Sequence, residues 1–184
     1  MHRRFMLIVA AAALLVGVLA SPAAAAEPAS DPATQQFEIR FMEKTIEHHL
    51  MGVEMAEMCI QKTTPPPPAE DTELVALCEQ ILAAQLQDAQ QLQEWLFDWY
   101  GIVYEPKMTG AGQMNRLERA SGEEFDILVS EMFIDHHLGQ IRMTDDCLVR
   151  AEHAELLELC QRTIAQQSAE IIEFREILAA HGVE

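Results

Sequence analysis

The sequence predicts an all-α protein, a four-helix bundle made of two duplicated helical hairpins. Residues that favour helix dominate after residue 26, and no segment alternates Val, Ile and Thr as a half-buried strand would. A His-His pair with a downstream Met and Cys also recurs 88 residues later, which indicates an internal repeat. Two such hairpins bury their apolar stripes against each other as a bundle. The repeated residues are His48, His49, Met55 and Cys59, then His136, His137, Met143 and Cys147.

The first 26 residues are typical of a secretory signal peptide. Arg3 and Arg4 precede an apolar run, and the segment ends in an alanine-rich cleavage site. We expect cleavage near Ala26 to release residues 27–184 as a single domain, located in the periplasm or secreted. Because no later stretch is apolar enough to span a bilayer, we expect no membrane association after cleavage.

The chain is strongly acidic. Its formal net charge is −18, and loss of Arg3 and Arg4 with the leader brings the charge to −20. This charge makes nucleic acids and anionic membranes improbable partners. It either attracts cations or simply keeps the protein soluble.

The first hairpin is predicted from two helix-forming stretches. The first helix runs from Pro32 to Lys62 and is stopped by the proline run Pro65–Pro68. The second runs from Asp71 to Tyr100 and ends at Gly101.

A connection rich in Gly and Pro follows, from Gly101 to about Ala120. The third helix starts near Ser121, where Ser121 and Glu124 predict a capping box, and runs to about Arg150. The fourth covers roughly His153 to Ala180.

The duplication also includes the second helix of each half. Residues 73–78 align with residues 155–160, and Gln85 aligns with Gln167, at an offset of 82. The smaller offset places the length difference in the loop between the two helices of a hairpin, where the first copy carries its prolines.

The four cysteines occupy facing positions in the two hairpins. In an oxidising compartment we predict one disulfide between Cys59 and Cys78 and another between Cys147 and Cys160. The alternative is a four-thiolate metal site, which requires cysteines of both hairpins to meet at one end.

Imidazole and thioether groups in one repeat point to a soft or borderline transition metal. His48 and Met55 are seven positions apart, so they lie on one face of a helix but about 10 Å apart along its axis. This distance is too long for them to share an ion. Met51 lies between them and Met58 follows, whereas the second copy has Gly139 and Asp146 at those positions. The candidate ligands are therefore His48, His49, Met51, Met55, His136, His137 and Met143, with Glu47, Met58, Met132 and Asp135 as residues that orient a ligand or add one.

How the two histidine helices pack decides which of these ligands meet. A parallel arrangement places His opposite His, whereas an antiparallel arrangement allows mixed His and Met sites. The connection reaches beyond about 30 Å when extended, and we favour the antiparallel arrangement. One histidine of each pair is expected to face the core and the other its flank, whereas His153 and His181 have no repeat partner and are predicted to lie on the surface.

At these residues the chain resembles the bacterial domain of unknown function numbered 305 (DUF305), whose repeated signature is Phe-x3-Met-Ile-x-His-His-x2-Ala-Ile-x-Met-Ala. The resemblance covers nearly the whole mature chain. It implies a ferritin-like bundle and, as in some members, a periplasmic copper-binding protein linked to copper tolerance. The signature methionine is replaced by Thr45 and Phe133, and the alanine by Gly52 and Gln140. The matching residues are Phe41, Ile46, His48, His49, Val53, Met55 and Ala56, then Ile134, His136, His137, Ile141 and Met143.

The leading hypothesis is a soluble exported protein that buffers copper or transfers it to a partner protein, with no organic cofactor. Cu(I) suits thioether and imidazole ligands, and Cu(II) suits imidazole and carboxylate. One alternative is a metal-free structural or interaction module. A di-iron oxidase is disfavoured, because Thr45 and Phe133 occupy positions where Glu-x-x-His motifs need Glu, so we expect no enzyme.

Overall fold

The protein is described by a computed structural model that covers residues 27–63, 72–107 and 111–183. Within these ranges the regular elements are α-helices, as predicted: α1 (Pro32–Thr63), α2 (Thr72–Tyr100), α3 (Ala111–Arg119), α4 (Glu123–Arg150) and α5 (Ala154–Ala180). The predicted signal peptide and the proline run Pro65–Pro68 lie outside the described residues. In the part of the chain that is described, no helix is both long and apolar enough to cross a bilayer.

Helix α1 begins where its capping residue predicts. The Asp31 carboxylate accepts hydrogen bonds of 3.0 Å from the backbone N–H groups of Ala33 and Thr34. Pro32 takes the first helical position, where a missing N–H costs nothing. The Thr34 hydroxyl also donates to this carboxylate, and this bond together with the two backbone bonds lowers the pKa of Asp31.

The short helix α3 lies inside the segment that the sequence predicts to be an irregular connection. Its Met114 and Leu117, three residues apart, are buried against the core. Lys62 at the end of α1 donates to the carbonyl oxygens of Leu117 (2.8 Å) and Ala120 (2.9 Å), and so satisfies the C-terminal end of α3. The glycines in and beside α3 obscure it in the sequence, because these two and a half turns of helix depend on tertiary contacts.

The predicted capping box at Ser121 is wrong. Helix α4 begins at Glu123 with Gly122 as its N-cap, and no side chain bonds the cap. Gly122 has a φ of 58°, which other residues rarely adopt, and its carbonyl oxygen accepts from Phe125 N–H. Acidic residues in the first turn favour the positive end of the helix dipole instead.

Helices α1 and α4 cross the bundle antiparallel, as favoured from the connection length. Contacts pair the end of α1 with the start of α4 and the start of α1 with the end of α4. These contacts are Thr63 with Asp126 (3.1 Å), His48 with His136 (2.9 Å), Thr45 with Gln140 (3.4 Å), and Phe37 with Arg150, whose guanidinium lies 4.1 Å from the ring centroid.

Both predicted disulfides are present, one in each hairpin. Cys59 is bonded to Cys78, and Cys147 to Cys160. No free cysteine remains in the described residues, so the four-thiolate metal site is ruled out. Because α1 and α4 are antiparallel, the two disulfides lie at opposite ends of the bundle.

The hydrophobic core is divided into two parts. One contains Met55, Leu74, Phe125, Phe133 and Phe174, and the other contains Phe41, Ile46, Leu92, Leu96 and Trp99. Between them, at the middle of each long helix, lies a layer of buried polar side chains, which we call the polar layer. Its members are His48, which is half-buried, and His49, Gln85, Asp88, His136, His137, Gln140, Thr163, Gln167 and Glu170, which are buried.

His153 is not the surface residue that the sequence predicts. Its side chain is 8% exposed, and its ring stacks on Trp99 with centroids 3.8 Å apart. Nδ1 lies 2.6 Å from the buried Glu38 carboxylate, and Nε2 lies 2.9 Å from the carbonyl oxygen of Glu27. This contact ties the turn between α4 and α5 to the residues before α1. The His181 side chain is 18% exposed and lies 3.6 Å from Glu123.

Candidate metal centre

The repeated histidines lie together in the polar layer. His48 and His136 project from antiparallel helices, and their ring centroids are 3.7 Å apart. Each ring lies beside a glycine of the opposite helix: a Cβ built on Gly139 is 3.5 Å from His48 Nε2, and one built on Gly52 is 2.8 Å from His136 Cε1. Gly52 therefore makes room for the His136 ring, whereas the position of Gly139 has space for a Cβ beside His48.

Burial keeps these two rings neutral. Removal from water, aided by His49 and His137, lowers the pKa of His48 from 6.5 to about 3. Burial, together with His48 and His137, also holds the pKa of His136 well below 6.5. A neutral imidazole retains a lone pair, which is the form that binds a metal ion.

The hydrogen bonds of His136 fix which of its nitrogens carries the lone pair. Nε2 lies 2.9 Å from the backbone carbonyl oxygen of His48, which can only accept, so Nε2 carries the proton. Nδ1 therefore has the lone pair, and it lies 3.4 Å from Nδ1 of His137.

His137 is held by a buried carboxylate. Its Nε2 lies 2.8 Å from Glu170 Oε2, and the two side chains are 0% and 2% exposed. Nε2 lacks an aligned hydrogen bond, so we treat this as a close charge contact rather than an ideal bond. The carboxylate still favours a proton on Nε2, which turns the Nδ1 lone pair of His137 towards His136.

With both protons on Nε2, the two Nδ1 lone pairs face each other at 3.4 Å and repel unless a metal ion or a shared proton lies between them. Two ligand nitrogens bound at about 2.0–2.1 Å to a tetrahedral metal ion are themselves about 3.4 Å apart. The spacing of the two Nδ1 atoms therefore fits one edge of a metal site, and it equally admits a proton.

The first copy has a corresponding but looser pair. His49 Nε2 lies 3.8 Å from Asp88 Oδ2, and both ring nitrogens of His49 are buried without a hydrogen-bond partner. Arg162 binds the other Asp88 oxygen at 2.7 Å. Burial raises the pKa of Asp88, but His49 and Arg162 outweigh burial and bring it below 3.8.

Asp88 and Glu170 were missed from the sequence, although the signal was present. They are 82 residues apart, the same offset that relates Gln85 to Gln167. The repeat therefore contains a carboxylate as well as the histidines, and each carboxylate faces the second histidine of its own copy.

The two acidic residues that were predicted to orient the histidines lie elsewhere. The Glu47 carboxylate binds Lys44 Nζ and the Tyr104 hydroxyl, each at 2.7 Å. Asp135 is exposed to solvent. Both directly precede a histidine pair, but the helix turns their side chains away from the polar layer.

Four methionines lie at one side of the polar layer. Met55 belongs to the core part that contains Phe133, and Met51, Met58 and Met132 pack against the same part. Phe133 also contacts the His136 ring, with centroids 6.3 Å apart, so this part adjoins the polar layer. Met143 is half-buried, and the antiparallel packing places it on the opposite side of the layer.

Among residues 27–63, 72–107 and 111–183, no three His, Cys, Asp or Glu side chains converge as a ready metal site. The two Nδ1 atoms are two candidate ligands. A third ligand has to come from a group outside that set, such as a thioether or water, or from a rotation of His48, whose Nδ1 is buried without a partner.

The chain matches a family model. The model described as domain of unknown function DUF305 matches residues 20–96 and 38–178. Comparison with curated proteins finds no match.

Several solved structures share the fold. CopM in the Cu(II)-bound form is 26% identical, with a TM-score of 0.64 over 76% of this chain and 93% of that chain. CopM co-crystallised with Ag is 25% identical, with a TM-score of 0.67 over 78% and 96%. A DUF305 protein from Streptomyces coelicolor is 20% identical, with a TM-score of 0.70 over 80% and 94%.

Proposed function

Because the chain belongs to the DUF305 family, we propose that it is an exported binding protein for copper ions. It holds the ion in the polar layer between its two hairpins and buffers it or passes it to a partner protein. The ligands are drawn from His48, His49, Met51, Met55, His136, His137 and Met143.

The observation that carries this proposal is the pair of Nδ1 atoms of His136 and His137 at 3.4 Å. The opposite nitrogen, Nε2, lies 2.9 Å from a backbone carbonyl oxygen in His136 and 2.8 Å from the Glu170 carboxylate in His137. With a proton on each Nε2, the two Nδ1 lone pairs face each other. A metal ion of ordinary bond length removes their repulsion at this spacing, and both nitrogens belong to α4.

The choice of copper rests on the donor set. Imidazole and carboxylate suit Cu(II), and the thioethers of Met51, Met55 and Met132 beside the layer suit Cu(I). Two structures of CopM are similar to this chain. The Cu(II)-bound form is 26% identical to it, and the Ag-bound form is 25% identical. Silver and Cu(I) share a preference for soft ligands.

Export is supported by the two disulfides, which persist in oxidising compartments. We propose a binding role rather than an enzymatic one. The polar layer consists of buried imidazole, amide and carboxylate groups, which can hold an ion. Glu170 lies close enough to orient His137, whereas Asp88 lies 3.8 Å from His49.

The test is a copper titration of residues 27–184. Cu(I) is titrated anaerobically against a competing chelator, and Cu(II) in a separate series, for the parent and for His136→Gln combined with His137→Gln. Glutamine keeps a polar group of similar length in the buried layer while removing both Nδ1 ligands. We expect one tightly bound ion to be lost from the double variant.

His181→Gln serves as the matched control, since it removes a histidine far from the polar layer and should bind as the parent does. Far-UV circular dichroism verifies that the variants remain helical. Equal copper affinity in the double variant and the parent would show that the ion is not held by these nitrogens. A parent that binds no copper would favour the metal-free module instead.

A further inference from the structure

A groove between α2 and α5 leads from the surface to the polar layer. Its volume is 490 Å³, and its lining includes Ala84, Asp88, Trp95, Glu155, Glu158 and Arg162. Its carboxylates outnumber its one arginine, so its field attracts cations.

At the base of the groove the carboxylate of Asp88 faces inward to a histidine without a partner. Asp88 is 8% exposed, and one of its oxygens is 3.8 Å from Nε2 of the fully buried His49. This separation is too long for a hydrogen bond. It is close to the spacing of about 3.6 Å between two ligands of a trigonal metal ion with bonds of about 2.1 Å.

The other oxygen of Asp88 is held by a side chain of α5. Arg162 donates to it at 2.7 Å, and the Arg162 side chain is 52% exposed. Arg162 therefore neutralises the Asp88 carboxylate, and an entering cation has to compete with this arginine for it. Arg162 is half-exposed and can turn towards solvent, whereas Asp88 is buried, so the pair opens when a cation replaces the charge of the arginine.

The corresponding position in the second copy is closed. Glu170, the repeat partner of Asp88, is 1% exposed and lies 2.8 Å from His137. The two copies therefore differ: one carboxylate holds its histidine inside the protein, and the other joins its histidine to the surface.

We propose that the groove between α2 and α5 is the route by which a copper ion enters the polar layer. Asp88 and His49 receive the ion first, and the bond between Arg162 and Asp88 closes the route when no ion is passing. This proposal rests on the proposed function, since a route needs a site to lead to.

The test measures rates as well as affinity. Binding of Cu(II) to residues 27–184 is followed by stopped-flow quenching of tryptophan fluorescence, since Trp95 lines the groove. Release is followed by adding a chelator in excess. Ala84→Leu narrows the groove, and Arg162→Ala removes the closing charge.

We expect Ala84→Leu to slow both binding and release several-fold while the equilibrium affinity stays near that of the parent, which is the signature of a blocked route. Arg162→Ala should speed both. The controls are Ala83→Leu, which adds the same bulk at the next, exposed position, and Arg175→Ala, which removes the same charge elsewhere on α5. Both controls should stay close to the parent, apart from a small general effect of charge.

Parent rates in Ala84→Leu, or no difference between Arg162→Ala and Arg175→Ala, would overturn the proposed route while leaving the copper site intact. Absence of copper binding by the parent would overturn the site itself and the route with it. The two failures are thus distinguished by the parent's own titration.

Discussion

His48 and His136 are the residues for which folding changes the chemistry most. In water each would titrate near 6.5, but in the polar layer each is surrounded by other histidines and removed from solvent. The fold therefore maintains two neutral imidazoles at a pH where free histidine begins to gain a proton. This is the state that a metal ion requires and a proton competes for.

Stability of the metal-free protein should depend on pH for this reason. The folded pKa of His48, about 3, lies below the unfolded 6.5, so the unfolded chain binds the proton first. The stabilisation that the neutral His48 gives to the folded state is complete above pH 6.5 and is lost as the pH falls from 6.5 towards 3. We expect the free energy of unfolding to fall between pH 6.5 and 5 by at most about 1.4 kcal/mol per pH unit for each of the two histidines.

Urea denaturation at a series of pH values measures this slope. His48→Gln combined with His136→Gln should flatten it, whereas His181→Gln should leave it unchanged. A slope equally steep in the double variant would mean that other groups cause the pH dependence. Measurement above pH 5 avoids the range where most carboxylates take up protons.

Sequence reasoning identified the histidines but misassigned what orients them. Glu47 directly precedes His48, and Asp135 directly precedes His136. Adjacent side chains of a helix point about 100° apart, so neither carboxylate faces the polar layer. Asp88 and Glu170 lie on the other helix of each hairpin, so only the pairing of helices reveals the contact. The offset of 82 between them was nevertheless readable from the repeat.

At the scale of helices, the contact between α1 and α4 depends on Gly52. A Cβ at this position would lie 2.0 Å from Gln85 Oε1 and 2.8 Å from His136 Cε1. The resembling family has alanine here, so glycine in this chain is explained by the close approach of these two side chains. At Gly139 a Cβ would meet only His48 Nε2, at an ordinary 3.5 Å.

Gly52→Ala and Gly139→Ala should therefore change stability in opposite directions. We expect Gly52→Ala to lose about 1–3 kcal/mol through overpacking, because His136 must shift away from His48. Gly139→Ala should gain up to about 1 kcal/mol, since alanine favours helix and the space is present. Thermal and urea unfolding of the two variants provide the measurement, and a stabilised Gly52→Ala would contradict the described packing.

Helix α3 and the start of α4 show where element prediction failed. Nine residues form α3 because Met114 and Leu117 bury themselves and Lys62 caps the carbonyl oxygens. The long helices, by contrast, were located to within two residues from proline, glycine and apolar periodicity. Long helices are specified by many local signals, whereas a short one depends on what it packs against.

At the scale of the whole molecule, the two disulfides fasten opposite ends of the bundle, and the polar layer lies between them. Cys59 belongs to one part of the core and Cys147 to the other. The middle of the bundle, where apolar packing is replaced by histidine, amide and carboxylate groups, therefore has no covalent support of its own. The polar layer is therefore held in place by the apolar packing and the disulfides at the two ends of the bundle.

Removal of either disulfide should destabilise the protein by a similar amount. The bridged residues are 19 and 13 apart, and loop-closure entropy gives about 3 kcal/mol for each. We expect Cys59→Ala with Cys78→Ala, and Cys147→Ala with Cys160→Ala, to lose about that much each and to add when combined, since the sites are distant. Urea midpoints test both points, and a combined loss far from the sum would show that the two ends are coupled.

The sequence by itself determined the four long helices and the disulfide pairing, and it predicted the histidines of the candidate site, because each of these is recorded in local pattern or in a constant offset. Only the tertiary structure decided that α1 and α4 are antiparallel, that His48 meets His136 rather than a methionine, and that Glu170 contacts His137 while Asp88 lies 3.8 Å from His49. The reason is physical. Periodicity tells which face of a helix is buried, but the partner of that face depends on crossing direction and register, which are set by contacts between residues far apart in the chain.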